Sequence, residues 1–371
     1  MRILICAGGT GGGIYPALTA VQALQAQGVR REAICWVGTA GEMEAQLVPR
    51  AGLRLETIRG GAIAGVPLHV KMMNAAKLLW SIGPSLGIMR RFRPDVMLMT
   101  GGYMSAPVAV AARLAGVPIV IFLPDVEPGA AIKSVLPLAV RVACSSPDSR
   151  QFVPAQKMVV TGYPVRPALR EATQMRRADA RAAFDLEVDV PTLLVFGGSR
   201  GSWAINQALM AALPALLPRM QIIHVSGTLT WPQVEANLAN LTAAQRARYR
   251  PFPYLHEEMG AAFRAADLVV TRAGASMLGE APAFGLPAVL VPLAWAWRYQ
   301  KVNADYLSTR GAAVQLTDET LAAELAPLVQ ELMADAARLR AMGAAARALD
   351  QPDAAERLAG VLTAVAKGGS T

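Results

Sequence analysis

Three times along this chain an apolar run of strand length ends in a glycine loop and passes directly into a stretch of helix length. The loops are Gly8–Gly9–Thr10–Gly11–Gly12–Gly13, Gly101–Gly102–Tyr103–Met104–Ser105 and Gly197–Gly198–Ser199–Arg200–Gly201. A strand that turns tightly into a helix and is followed by another strand builds parallel βαβ units. The residues around the first two loops continue that alternation. Strands are expected at Arg2–Ala7, Ala33–Val37, Arg54–Ile58, Val96–Thr100 and Ile119–Leu123. Helices are expected near Tyr15–Gln27, Glu42–Arg50 and Lys71–Arg91, and from Pro107. Runs as apolar as Ile119–Leu123 suit a sheet covered on both faces.

The pattern then restarts. Gly162–Tyr163–Pro164–Val165–Arg166–Pro167 reads as a junction, followed by a charged, helix-like stretch to about Glu187. A second series opens at Pro191–Phe196, turns through the third glycine loop into a helix from Ser202, and continues with strands Gln221–Val225, Leu268–Thr271, Ala288–Val291 and Ala313–Leu316. Asp353–Val365 would form a last amphipathic helix. A chain of 371 residues exceeds one average core, so two tandem doubly wound domains are expected. In such sheets ligands bind beyond the carboxyl ends of the strands.

Composition narrows the function. Hydrophobic residues make up 53% and charged residues only 17%, which excludes a disordered chain. No stretch approaches about 18 uninterrupted apolar residues, so no transmembrane helix is expected, and the opening apolar run is a first strand rather than a signal peptide. Cys6, Cys35 and Cys144 are scattered, and His69, His224 and His256 lack ligand spacing, so neither a disulfide framework nor a metal site is expected. The cysteine usage fits a reducing cytoplasm. The net charge of +9 is uneven: residues 1–165 hold 16 Lys/Arg against 8 Asp/Glu, the remainder 20 against 19. The asymmetry points to a first half that faces something anionic, either nucleic acid or phospholipid headgroups, with solubility alone as the other reading.

Glycine loops let phosphate oxygens approach backbone N–H groups at a helix start. None fits G-x-G-x-x-G, since Ile14 stands where the first would need its last glycine, and none carries G-K-[ST]. Nicotinamide and ATP-hydrolysing enzymes lose their main support. A fourth segment, Thr271–Arg272–Ala273–Gly274–Ala275–Ser276, leads from a strand into a helix carrying Glu280 about one turn on. There a carboxylate could accept both hydroxyls of a ribose. Gln300 and Asn303, three residues apart, share a helix face, where two amides can read sugar hydroxyls or cap a helix start.

Together these runs resemble the bacterial lipid-linked peptidoglycan glycosyltransferases of the MurG family. The likeness covers nearly the whole chain. It is carried by GGTGG with Tyr15–Pro16, Val37–Gly38–Thr39 with Glu42–Met43–Glu44, Pro94–Asp95 before GGYMSAP, and Gly162–Arg166. It continues through GGSRG with Asn206–Gln207, Tyr254–Met259, Arg272–Glu280, Gly285–Leu286–Pro287, Gln300–Asn303 and Pro352–Arg357. The resemblance implies an α/β chain of GT-B fold, two doubly wound Rossmann-like domains facing across a cleft. Residues 1–163 would be the acceptor- and membrane-facing domain, with a helix at about 345–367 packing back on it, and 164–344 the UDP-sugar domain. The implied reaction is inverting transfer of N-acetylglucosamine from UDP-GlcNAc to undecaprenyl-diphospho-N-acetylmuramoyl-pentapeptide in peptidoglycan synthesis, without cofactor or essential metal.

By the same resemblance Arg166 and Ser199 contact the donor diphosphate, to which Ala275, Ser276 and Met277 offer N–H groups. Leu255 holds the uracil, Glu280 the ribose, and Gln300 with Asn303 the GlcNAc. Thr10, Gly11, Gly12, Gly13, Gly102 and Ser105 form the acceptor-diphosphate loops. The acceptor half departs from the family pattern. Gly13 stands where the family has His, Phe122–Leu123–Pro124–Asp125 replaces a His-Glu-x-Asn run, and Tyr299 replaces a polar residue. The candidate bases are Asp125 and Glu127, with Tyr103 as a positioning group. The same fold acting on another lipid acceptor, a sugar-nucleotide binding protein without turnover, and a nucleotide-sugar epimerase are the alternatives.

Between Lys71 and Arg93 lie Met72, Met73, Leu78, Leu79, Trp80, Ile82, Leu86, Ile88 and Met89, closed by Arg90, Arg91 and Arg93. Apolar residues with a Trp and a basic border suit an interfacial helix on anionic phospholipid at the cytoplasmic membrane face. No nucleic-acid motif is present, so nucleic acid is not an expected partner.

Overall fold

A computed structural model describes residues 1–9, 11–61, 67–198, 201–293 and 299–368; for Leu68, Val70 and Lys71 it describes the backbone only. The chain divides into two units, Met1–Val165 with the segment that begins at Gln351, and Arg166–Asp350.

The first unit is a seven-stranded parallel sheet: β1 (Ile3–Ala7), β2 (Ile34–Gly38), β3 (Arg54–Thr57), β4 (Val96–Gly101), β5 (Ile119–Leu123), β6 (Arg141–Cys144) and β7 (Met158–Val160). The strand order is β3-β2-β1-β4-β5-β6-β7. From β1 the chain steps outward through β2 to β3, then crosses back to place β4 on the other side of β1. The carboxyl ends of β1 and β4 therefore flank the topological switch point, and both open into glycine loops. Strands β1, β2 and β5 are buried at every position, as their unbroken apolar runs require.

The second unit repeats the plan with β8 (Thr192–Phe196), β9 (Gln221–Val225), β10 (Tyr249–Phe252), β11 (Leu268–Thr271), β12 (Ala288–Leu290) and β13 (Ala313–Gln315), all parallel in the order β10-β9-β8-β11-β12-β13. Its switch point lies between β8 and β11, where the third glycine loop and the segment after Thr271 emerge.

Several elements differ from their sequence reading. The first helix spans Gly11–Ala26, not Tyr15–Gln27. Its opening glycines are poor helix formers, but a Cβ on Gly13 would stand 2.8 Å from the Thr100 hydroxyl oxygen, so close packing on β4 selects glycine. The long helix expected at Lys71–Arg91 is two, Leu68–Trp80 and Ile82–Phe92. Pro84 lacks the N–H that would reach the Trp80 carbonyl, and Ser81 at the break bonds the carbonyls of Lys77 and Arg59 with its hydroxyl. The stretch to Glu187 is likewise two short helices, Pro167–Ala172 and Arg177–Ala182. Strands β6, β7 and β10 are three or four residues long and gave no pattern to read. The last helix, Ala354–Ala366, packs on the first helix, and the one before it, Ala336–Arg347, belongs to the second unit.

A buried polar knot pins β9 to its neighbours. The His224 ring lies 2.6 Å from the Tyr249 hydroxyl through Nδ1 and 2.9 Å from Asn206 Oδ1 through Nε2. The Asn206 amide donates to the Ser226 carbonyl and the Thr230 hydroxyl, which leaves Oδ1 as acceptor. Nε2 therefore carries the proton and Nδ1 accepts from Tyr249. Burial pushes the His224 pKa down from 6.5 to about 3. Below pH 6.5 the unfolded chain takes up a proton here that the folded chain refuses, so stability falls toward acid by about 1.4 kcal/mol per pH unit until about pH 3. Thermal melts of the wild type and a His224 variant from pH 7.5 to 5 should show this slope in their difference. A His224→Gln variant should be less stable at pH 7.5, with the gap to the wild type narrowing toward pH 5.

Candidate functional site

On the second sheet the turn after β8 begins with Gly197 and Gly198, and Gly201 and Ser202 lead into the next helix; Ser199, expected on the diphosphate, lies outside the described residues. Gly198 and Gly201 take φ of +88° and +78°, a region an L side chain rarely enters. The Ser202 hydroxyl oxygen caps the helix Trp203–Leu216 by accepting from the Ile205 N–H, and accepts from Arg272 Nε at 3.1 Å. Arg272, buried at the end of β11, also donates to the Val291 carbonyl at 3.2 Å and to Asp318 at 2.7 Å. One guanidinium thus ties the ends of β11 and β12 to the helix start behind the glycine loop. In the sequence Arg272 and Asn206 stand only as members of longer runs; a charge directly after an apolar strand at a switch point is the local signal for Arg272.

The segment Arg272–Ser276, after β11, enters the helix Met277–Phe284. The Met277 N–H is already bonded to the Gly274 carbonyl at 3.0 Å, so among the three residues expected to offer N–H groups it is the one engaged in the turn itself. Glu280, one turn on, is 8% exposed, with its carboxylate 3.8 Å from the Arg166 guanidinium. Burial pushes its pKa up, while Arg166 and a hydrogen bond from Ser276 pull it down. Arg166 and Glu280, read separately from the sequence, are thus brought together. Gln300 and Asn303 do share the helix Tyr299–Ser308, but each holds a loop: Gln300 Oε1 accepts from the Leu293 N–H at 3.0 Å, and Asn303, 1% exposed, donates to the Ala273 carbonyl at 3.1 Å. Leu255 is buried, and the rings of its chain neighbours Tyr254 and His256 pack on each other with centroids 4.6 Å apart.

At the first-sheet switch point the two glycine loops of that sheet meet. Gly102, at φ +90°, lies so near the first loop that a Cβ would stand 3.1 Å from the Gly8 carbonyl oxygen. Thr10 lies outside the described residues, while Gly11, Gly12 and Gly13 form the first helical turn. The Tyr163 hydroxyl donates to the Gly12 carbonyl at 3.4 Å. Ser105 opens the helix Ser105–Leu114 with its hydroxyl buried; that hydroxyl and the one on Thr100 have no partner among the described residues. The Tyr103 phenol donates to Glu42 at 3.2 Å. Its pKa is raised, first by burial and also by the nearby Glu42 and Glu44 carboxylates.

Beyond β5, Asp125 is half-buried, whereas Glu127 is buried with its carboxylate 2.8 Å from Lys133. Glu127 is tied into an ion pair with the helix that follows it. A depression lined by Arg2, Gly28 and Arg30 lies at the amino-terminal ends of β1 and β2, at the opposite end of these strands from the first-sheet switch point.

Comparison with known proteins matches residues 3–143 to the glycosyltransferase family 28 N-terminal domain and residues 192–358 to the glycosyltransferase family 28 C-terminal domain. A protein of Roseiflexus sp. (strain RS-1), named UDP-N-acetylglucosamine–N-acetylmuramyl-(pentapeptide) pyrophosphoryl-undecaprenol N-acetylglucosamine transferase, is 41% identical over 98% of this chain and 94% of its own. The protein of the same name from Desulforudis audaxviator (strain MP104C) is 36% identical over the full length of both. Among solved structures, MurG of Acinetobacter baumannii superposes with a TM-score of 0.75 at 27% identity, covering 98% of this chain and 99% of that one.

Proposed function

The chain belongs to the family of UDP-N-acetylglucosamine–N-acetylmuramyl-(pentapeptide) pyrophosphoryl-undecaprenol N-acetylglucosamine transferases, a GT-B glycosyltransferase family, and from that membership we propose its reaction and the residues that serve it. The reaction is inverting transfer of N-acetylglucosamine from UDP-GlcNAc to undecaprenyl-diphospho-N-acetylmuramoyl-pentapeptide, a step of peptidoglycan synthesis. The observation that carries this reading is the second-sheet switch point, where a helix start and a buried carboxylate beside Arg166 stand one turn apart.

The helix start and Arg166 supply positive potential to the diphosphate, and charge developing on the departing UDP is stabilised by the same groups. Ser199 adds a hydroxyl donor there. Ala275 and Ser276 present backbone N–H groups, Leu255 holds the uracil through its backbone, and Glu280 accepts from the ribose hydroxyls. Gln300 and Asn303 shape the sugar end of the site, the latter by fixing the Ala273 carbonyl. On the first sheet the loops around Gly11–Gly13 and Gly102–Ser105 receive the acceptor diphosphate. Asp125 removes the proton from the acceptor hydroxyl and Tyr103 positions it; Glu127, bound to Lys133, holds the loop on which Asp125 stands.

Attachment to the cytoplasmic face of the membrane is peripheral in this reading. No helix among the described residues is long and apolar enough to cross a membrane. On the helix Leu68–Trp80, Met72 is 67% and Trp80 85% exposed, with Met73 and Leu79 also outward, and Arg90 and Arg91 follow on the next helix. Such a face suits anionic headgroups.

The test is transfer of radiolabelled GlcNAc from UDP-GlcNAc onto the undecaprenyl-linked acceptor by the purified protein in detergent. Labelled product is expected. Retained UDP-GlcNAc binding with no product on this acceptor would move the search to a different lipid acceptor, and loss of both would remove the donor assignment.

A further inference from the structure

Glu44 is the one acidic side chain among the described residues that joins the turn after β1, at the first-sheet switch point, to the turn after β2 through backbone donors. It opens the short helix Glu44–Arg50 after β2 and is only 2% exposed. Its Oε2 accepts from the Gly9 N–H at 3.2 Å, in the turn after β1, and its Oε1 accepts from the Thr39 N–H at 3.1 Å, in the turn after β2. Among the described residues it has no ion-pair partner, so the two backbone donors are what compensate a carboxylate taken out of water.

The surrounding sequence is shaped to admit it. A Cβ on Gly8 would stand 2.6 Å from Glu44 Oε1, and one on Gly38 would stand 2.6 Å from its Cγ. Both glycines are therefore needed to make room for this side chain. The Gly8 carbonyl in turn lies against Gly102, so a shift of the first turn is passed to the loop after β4. The Gly9 N–H points at a side chain of the protein, which means that this turn spends a donor on holding its own shape.

We infer that Glu44 is a positioning residue that locks the turns after β1 and β2 to each other and thereby sets acceptor affinity without acting on the donor. The kinetic part rests on the acceptor assignment proposed above; the lock itself does not. Glutamine at this position keeps the size and one acceptor oxygen but offers an amide donor to whichever backbone N–H loses its partner.

The experiment pairs kinetics with amide exchange on wild type, Glu44→Gln and Glu44→Asp. Hydrogen exchange read by mass spectrometry should quicken in Glu44→Gln in the peptides covering 5–13 and 35–43 together, with the second unit unchanged. In the transfer assay the KM for the lipid-linked acceptor should rise about tenfold while the KM for UDP-GlcNAc stays put. Glu44→Asp, which keeps the charge but is one methylene shorter, should recover part of the acceptor KM. Exchange that quickens in only one segment or in neither overturns the lock. Quickened exchange with both KM values unchanged, or both raised alike, overturns its role in acceptor affinity. If the wild type transfers nothing to the acceptor, the functional reading fails, and the exchange arm still decides whether Glu44 joins the two turns.

Discussion

Replacing Asp125 by Asn is expected to lower turnover about a thousandfold, within the roughly 10²–10⁴ range that a positioned general base supplies, with UDP-GlcNAc affinity unchanged. Direct displacement at the anomeric carbon requires the acceptor hydroxyl to lose its proton as the bond to UDP breaks. Asn keeps the size and polarity of Asp125 but cannot take the proton. The companion variant Glu127→Gln separates the two candidates. Its carboxylate is already paired with Lys133 at 2.8 Å, so the change should loosen the loop and cost turnover far less. Steady-state rates with both substrates varied, and calorimetry with UDP-GlcNAc, are the measurements. Equal losses in the two variants would mean that the loop, and not Asp125, matters.

Glu280→Ala should weaken UDP-GlcNAc binding by about 1–3 kcal/mol, roughly 5- to 150-fold in Kd, through loss of charge-assisted hydrogen bonds to the ribose. Burial has raised the Glu280 pKa against the opposing pull of Arg166 and Ser276. Ribose hydroxyls donate to the ionised form, so binding must expel a proton once the pH is below that raised pKa. Kd should then rise about tenfold per pH unit toward acid, and Glu280→Gln should flatten the profile. For the empty protein the sign is opposite. The folded chain holds this proton more tightly than the unfolded one, so protonating Glu280 favours the fold as pH falls. Titration calorimetry across pH, with melts as control, separates the two; unchanged affinity in Glu280→Ala would remove the ribose role.

The sequence displayed its switch points more clearly than its chemistry. Fully apolar strands such as Ile3–Ala7 and Ile119–Leu123 could be read because a strand buried on both faces needs no alternation to be recognised. The glycine loops were legible for the same local reason, since a turn that tight leaves few other residues possible. Arg166 and Glu280 were each legible through resemblance, but not their pairing, because 114 positions of chain separate them and only folding brings them within 3.8 Å.

Other features had no local signature at all. Gly13 departs from the family pattern, and the packing reason, the Thr100 hydroxyl where a Cβ would point, could not be read from its neighbours in the chain. The bond from the Asn303 amide to the Ala273 carbonyl, 30 positions away, could not be read from the spacing of Gln300 and Asn303. Glu44 sits in a stretch whose spacing says only that a helix begins there, yet its carboxylate joins two turns. By itself the sequence determined the periodicity of the strands, the places where the backbone must turn tightly and the family to which those places belong, because each is a property of neighbouring residues. Which polar side chains are spent on holding loops, and which stay available to a substrate, was decided by tertiary structure alone. A buried carboxylate or amide takes its role from the donors and acceptors that packing sets beside it, and those come from distant parts of the chain.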